Sequence, residues 1–208
     1  MLLEAFSLEI QMCIETREQR RMKEIFLTMK KISSVIENPR VVGIIKECGG
    51  KIYMTEKRWD AALQEFFESY KSLVNIYSNK ACTLLKYVIL ASLLSGSEVD
   101  YLGTREAKIF AQDAQIIAMV TLKQAFENND IKSIQEVLND KNVQLLADPF
   151  INNYLDDLLR SVRLKALEAM CKPYKSVKLS FLATNLNVSV DEIRSLLSEL
   201  ILEEKLEG

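Results

Sequence analysis

The 208 residues carry 27 Lys and Arg against 29 Asp and Glu, a formal charge of -2, and 49% of them are hydrophobic. Such a chain can bury a substantial core and falls outside the disordered class; without a basic excess it also lacks the electrostatic footprint of a nucleic-acid binder. Six Gly and three Pro are too few turn-formers for many short strands, and the absence of His excludes Ser-His-Asp triads, Cys-His pairs and His-liganded zinc.

Cys13, Cys48, Cys82 and Cys171 are scattered, with no C-x-x-C pair and no secretory signal. They are expected to be reduced, mostly buried thiols in a protein of the nucleus and cytoplasm. The longest apolar run, Ala81 to Leu94, is interrupted by Thr83, Lys86 and Ser92 and falls short of the roughly 18 residues of a membrane span. It reads as a buried core helix.

Helical periodicity runs through almost the whole chain. Leu3, Phe6, Ile10 and Cys13 mark one face of a first helix, and Met22, Ile25, Phe26, Met29, Ile32 and Ile36 form the stripe of a second. Asn38-Pro39 is expected to end that second helix, because the residue before proline is pushed out of the α region. A third helix is expected from about Val41 to Met54. A fourth, beginning near Glu56, carries Trp59, Ala62, Leu63, Phe66, Phe67, Tyr70, Leu73 and Val74 on one broad apolar face. Gly50, Tyr53, Ala62 and Phe66 fall at the offsets of the tetratricopeptide pattern, in which small residues let two helices approach and aromatic ones fill the space beside them. Helix pairs of this kind need stacked neighbours, so a short right-handed solenoid is expected.

Ser95 to Gly103 is the most loop-like stretch. The helix expected from Asp113 to Phe126 is apolar nearly all round through Ile116, Ile117, Ala118, Met119 and Val120, which predicts burial on every side. Asn128-Asn129-Asp130 stops it, Ile131 to Asn139 forms a short helix, and Asp148 caps a long one starting at Pro149.

Beyond Cys171-Lys172-Pro173 the pattern changes. A short extended segment at Val177-Lys178-Leu179, a brief helix from Ser180 to Leu186, a turn at Asn187-Val188-Ser189 and a helix to about Glu204 give the winged-helix order. Ile193, Leu196, Leu197, Leu200 and Ile201 are expected on the buried side of the last helix. The sequence stops at Leu206-Glu207-Gly208, where a β-hairpin wing would follow, so the wing is expected to be incomplete. The predicted fold class is all-α with at most a minimal β element: helical repeats over residues 1–147, then a connecting helix and winged-helix subdomain over 148–208.

Function reads as protein binding rather than catalysis. A DNA-reading role for the last helix is disfavoured, because Asp191, Glu192, Glu199, Glu203 and Glu204 outweigh Arg194 and Lys205 and would repel phosphates. Arg17, Arg20, Arg21 and Lys23 read as a solvated helix face rather than a polyanion site. Trp59 and the aromatics behind it read as core, and Glu47-Cys48-Gly49-Gly50 as close helix packing rather than a phosphate loop. Lys172, Lys175 and Lys178 flank Pro173-Tyr174 and keep the expected strand edge from self-pairing. The candidate protein interface is Lys175, Val177, Lys178 and Leu179 along that edge, with Lys205 and Leu206 at the wing. No catalytic, cofactor-binding or metal-binding residue is assigned.

Several blocks carry a family resemblance. Leu2-Leu3-Glu4, Leu8-Glu9-Ile10-Gln11-Met12, Ile45-Lys46-Glu47-Cys48-Gly49-Gly50-Lys51, Leu84-Leu85-Lys86-Tyr87, Arg105-Glu106-Ala107-Lys108, Asn128-Asn129-Asp130-Ile131, Asp148-Pro149-Phe150-Ile151, Leu158-Leu159-Arg160-Ser161-Val162-Arg163 and Lys172-Pro173-Tyr174 keep their order along the chain. They resemble the scaffold subunits of the COP9 signalosome, a branch of the PCI-domain family shared with the proteasome lid and a translation initiation factor. The resemblance implies helical repeats leading into a winged helix that packs against other PCI-domain subunits. It implies membership of a complex that removes Nedd8 from cullin-RING ubiquitin ligases, with cullin contacts made by further repeats and the chemistry held by another subunit. The paralogous subunit of the proteasome lid is the alternative. Val99 to Thr104 departs from the family pattern, which has a more polar, proline-containing loop there.

Overall fold

The computed structural model describes residues 2–16, 18–32, 38–97, 99, 101, 103–128, 131–139, 148–174, 176–186 and 188–202. Among them the chain forms twelve α-helices and no strand. In order they are α1 (Leu2–Thr16), α2 (Gln19–Ile32), α3 (Pro39–Thr55), α4 (Trp59–Val74), α5 (Lys80–Ser95), α6 (Arg105–Lys108), α7 (Ala114–Glu127), α8 (Ile131–Asn139), α9 (Pro149–Asn152), α10 (Leu155–Cys171), α11 (Leu179–Leu186) and α12 (Val190–Leu202). The all-α expectation holds. The chain divides into two compact units, Met1–Met119 and Val120–Gly208.

In the first unit α1 to α5 each pack on their sequence neighbour, α3 on α4 and α4 on α5 most extensively. Ile10 and Cys13 of α1, Met22, Ile25, Phe26 and Met29 of α2, and Val41, Ile45, Cys48 and Ile52 of α3 share one buried cluster. The stripes anticipated for the first two helices therefore face inward at these positions; Ile36 lies outside the described residues. Asn38 is extended (φ -79°, ψ 109°), out of the α region as expected before a proline, and the pair has a second role as well. The Asn38 side chain accepts a hydrogen bond from Arg40 N–H at 3.0 Å and Pro39 takes the first helical position, so the pair starts α3.

Close approach of α3 to its neighbours depends on glycine. A Cβ added at Gly50 would lie 2.5 Å from the Phe66 ring of α4, and one at Gly49 would lie 2.5 Å from the Phe26 ring of α2. The two adjacent glycines thus receive an aromatic ring from each side, and Ala62 and Phe66 are fully buried. Tyr53 packs edge-on to Phe26, with ring centroids 5.9 Å apart. Buried Ser69 of α4 donates to the Gly43 carbonyl at 2.6 Å, and Lys46 bridges Glu65 and Glu68 across the same pair at 3.0 and 2.6 Å.

α4 starts at Trp59, later than the anticipated Glu56. At the end of α3, Arg58 N–H donates to Tyr53 O and Lys57 N–H to Met54 O, the two bonds of a Schellman cap, with Lys57 in the left-handed region at φ 56°. The same bonds close α4 around Tyr77 (φ 51°) and α5 around Gly96 (φ 68°). α5 matches the expected core helix: Leu84 through Leu94 are all buried, and Lys86 among them donates to Gln115 Oε1 at 2.7 Å.

α7 is not buried on every side. Ile116 and Met119 are buried, but Ile117 is half exposed, and Thr121 and Gln124, which share its face, are exposed too. In the second unit Asp148 caps as expected, its carboxylate accepting from Phe150 N–H at 3.0 Å. The helix it starts breaks after four residues, and α10 begins at Leu155. The break sits at Asn153-Tyr154, where Tyr154 leaves helical geometry (φ -111°, ψ 6°) and packs edge-on to Phe150 with centroids 5.2 Å apart. Asn152 and Asn153 favour such a break, since their side chains compete for backbone hydrogen bonds.

Candidate protein-interaction surface

The end of the second unit is a helix-turn-helix held against a supporting helix. Ala166 and Leu167 of α10, Leu182, Ala183 and Leu186 of α11, and Ile193, Leu196 and Leu200 of α12 form its core. The turn between α11 and α12 is closed by Val188 N–H donating to Ala183 O at 3.1 Å. Ser189 caps α12, its hydroxyl accepting from Glu192 N–H at 3.2 Å, and Asp191 and Glu192 complement the positive end of that helix.

The extended segment expected at Val177-Lys178-Leu179 is not a strand. Leu179 is the first residue of α11, and residues 176–178 belong to no ladder. The Lys178 carbonyl instead accepts from Phe181 and Leu182 N–H, tying the segment to the start of the helix. Of the candidate interface residues, Val177 and Leu179 pack half-buried on the helix-turn-helix core and Lys178 is exposed. Lys175, Lys205 and Leu206 lie outside the described residues, as do Glu203 and Glu204. Lys172 is exposed and pairs with Glu168 one turn back at 2.8 Å.

Charge on α12 is largely committed within the unit. Arg160 and Arg163 of α10 reach Glu199 and Glu192, each at 2.5 Å, and Arg194 lies 3.7 Å from Asp191. The basic cluster near the first helices is similarly engaged: Arg21 pairs with Glu9 at 2.5 Å and Lys23 with Glu56, while Arg20 is exposed. Arg17 lies outside the described residues.

Several exposed apolar side chains on this unit were not anticipated. Tyr174, Phe181, Val190 and Leu202 are exposed, Leu202 at 84%, and Ile201, expected on the buried side of α12, is 44% exposed. Ile193, Leu196 and Leu200 fill the inward arc of α12, so Ile201, one position on, is turned out of it. The sequence signal for Phe181 is its place beside Ser180, opposite the buried Leu182-Ala183 face. Burial pushes the Cys171 thiol upward, and burial with the nearby Asp157 carboxylate pushes Tyr154 up to about 12. Among the described residues no three Cys, Asp or Glu side chains are grouped to hold a metal ion, and no helix is long and apolar enough to cross a membrane.

Residues 138–208 match the PCI domain model. That stretch is a PCI domain. That match begins in α8, upstream of the boundary expected at 148. Over its whole length the chain is also similar to COP9 signalosome complex subunit 2. It is 38% identical over 207 residues to the Dictyostelium discoideum protein, covering 100% of this chain and 46% of that relative. To the Schizosaccharomyces pombe protein it is 40% identical over 207 residues, covering 100% and 47%. The 26S proteasome non-ATPase regulatory subunit 11 of Dictyostelium discoideum is more distant, at 26% over 210 residues, covering 96% of this chain and 51% of that protein. The chain spans about half the length of the curated relatives it matches.

Proposed function

We propose that this chain is a non-catalytic scaffold segment of the COP9 signalosome, using its PCI domain to assemble with other PCI-domain subunits. The observation that carries the reading is identity: 38–40% to the two signalosome subunits along the entire chain, against 26% to the proteasome subunit. In this reading the complex removes Nedd8 from cullin-RING ligases, and cullin contacts belong to portions of the relatives that this chain does not span. These 208 residues contain no histidine and supply no His-based zinc motif, which accords with a hydrolytic step belonging to a different subunit in this reading.

The exposed apolar residues Tyr174, Phe181 and Leu202 on the PCI portion fit a surface that meets other proteins. Ion pairing between α10 and α12 disfavours the nucleic-acid alternative, because the acidic residues stay on the second helix of the helix-turn-helix while the arginines that face them are occupied. Residence in the nucleus and cytoplasm accords with cysteines that stay reduced there.

The test is to tag the protein at its chromosomal locus, purify it under gentle conditions and identify what co-purifies by mass spectrometry. Signalosome PCI subunits together with cullins are the expected result. Proteasome lid and base subunits in their place would move the assignment to the paralogue.

A further inference from the structure

The first unit holds a cleft of about 340 Å³ where the start of α3, the end of α4 and the start of α5 meet, lined by Arg40, Ile44, Leu73, Tyr77, Ser78, Asn79 and Lys80. Its floor is apolar: Ile44 and Leu73 are buried. Its rim is positive, for two reasons. Two helices begin there, and an α-helix carries partial positive charge at its N-terminus. Each also bears a cation in its first turn, Arg40 in α3 and Lys80 in α5, and neither first turn contains an acidic residue. None of the lining residues is acidic, and neither Arg40 nor Lys80 has an ion-pair partner among the described residues.

Cations at the positive end of a helix oppose the usual arrangement, and here they do so twice around one apolar floor. The aromatic at the edge of the same cleft is equally unusual. Tyr77 closes α4 in the left-handed region, which residues other than glycine rarely adopt, and its side chain is 91% exposed. A large amphipathic ring presented to solvent beside a buried apolar floor is characteristic of an anchor for a partner rather than of a monomer surface.

We infer that this cleft docks an acidic peptide segment of a partner protein. One apolar side chain of the segment sits on Ile44 and Leu73 against Tyr77, and flanking carboxylates pair with Arg40 and Lys80. Charge complementarity selects this occupant. A free phosphate would use the rim and leave the floor idle, whereas an uncharged apolar peptide would leave two cations unanswered. The site lies outside the PCI portion, so the inference stands or falls separately from the assembly role.

The experiment is a display library of short random peptides sorted against the purified 208-residue chain. Enriched peptides are expected to be acidic with one central aromatic or leucine, and to bind more weakly as salt rises. The double variant R40E/K80E should weaken them at least about tenfold, and R40A or K80A alone roughly two- to fivefold. Far-UV circular dichroism checks that the variants fold. If the charge reversal disturbs the fold, R40A, K80A and Tyr77→Ala supply the comparison, since all three side chains are exposed. Absence of enrichment, enrichment of neutral or basic peptides, or binding unchanged in these variants would overturn the inference. So would inorganic phosphate displacing the peptides while versions lacking the apolar residue bind equally well, which would reduce the cleft to an anion site. Dimerisation of the chain that the reversal abolishes would overturn it in favour of self-association.

Discussion

Replacing Gly50 by alanine separates two opposing effects whose sizes the structure sets. In an exposed helix the change would stabilise by about 1 kcal/mol, through propensity alone. Here the new methyl would lie 2.5 Å from two ring carbons of Phe66 and 2.8 Å from Cγ, at the root of the ring. Carbon atoms pack at about 3.5 Å, so the shortfall approaches 1 Å. Turning the ring does not move Cγ, and Phe66 is fully buried beside Tyr87, with centroids 5.6 Å apart. Helix α3 or α4 must therefore shift, and overpacking of this kind costs about 1–3 kcal/mol. A clash at the root of a buried ring puts the cost in the upper part of that range, about 2–3 kcal/mol, so the expected net is a loss of about 1–2 kcal/mol once the propensity gain is subtracted. Trp59, the single tryptophan, opens α4 and reports on this helix pair. Urea unfolding followed by its fluorescence should show the midpoint falling by roughly 0.5–1 M with an unchanged slope. Shortening the facing ring (Phe66→Leu) should erase the penalty, so G50A in that background becomes neutral or stabilising, with a coupling of about 1–2 kcal/mol. A neutral G50A, or an equal loss in both backgrounds, would refute the packing argument. Gly49→Ala should cost less, because its methyl meets only the far edge of Phe26.

Three further outcomes are expected. Burial pushes the Cys48 thiol from 9.0 up to about 12, so the unfolded chain loses that proton at lower pH than the folded one. Stability should be level below pH 9 and fall above it, by up to roughly 1.4 kcal/mol per pH unit, in urea titrations of the wild type but less in Cys48→Ala. Iodoacetamide labelling read by mass spectrometry should modify Cys82 and Cys171, which are half-buried, well before Cys13 and Cys48. Ser69→Ala removes the buried bond to the Gly43 carbonyl and should cost about 1 kcal/mol in the same Trp59 assay.

What the sequence showed and what it concealed follow from the range of the interactions involved. Core faces of α2, α4 and α5 were legible because 3.6-residue periodicity is local, and the Gly50–Phe66 contact was legible because small and aromatic residues recur at fixed repeat offsets. Helix ends were less so. Gly96 advertises its left-handed cap, but the same cap is formed by Lys57 and Tyr77, whose side chains give no such signal, and the start of α4 was accordingly placed too early. Asn38-Pro39 carries both a stop and a start signal: Asn38 is extended, and only its side-chain bond to Arg40 N–H shows that the pair also starts α3. In α7 Thr121 and Gln124 mark the open face within an otherwise apolar run.

The candidate interface shows the same division at the level of function. Val177 and Leu179 look like alternating strand residues over three positions, yet both side chains lean on Leu182 and its neighbours because α11 begins one residue earlier than its serine suggests. That places the apolar material of the segment inward and leaves Lys178 as its outward feature. The outward apolar material is elsewhere, on Tyr174, Phe181 and Leu202. On α12 it coexists with acidic residues held by Arg160 and Arg163, so the open part of that helix offers Leu202 and Ile201 at one end and Val190 at the other. Glu192 in the first turn and Glu199 towards the last are both engaged by α10, so whatever meets the ends of this helix from outside finds apolar side chains beside carboxylates that are already paired.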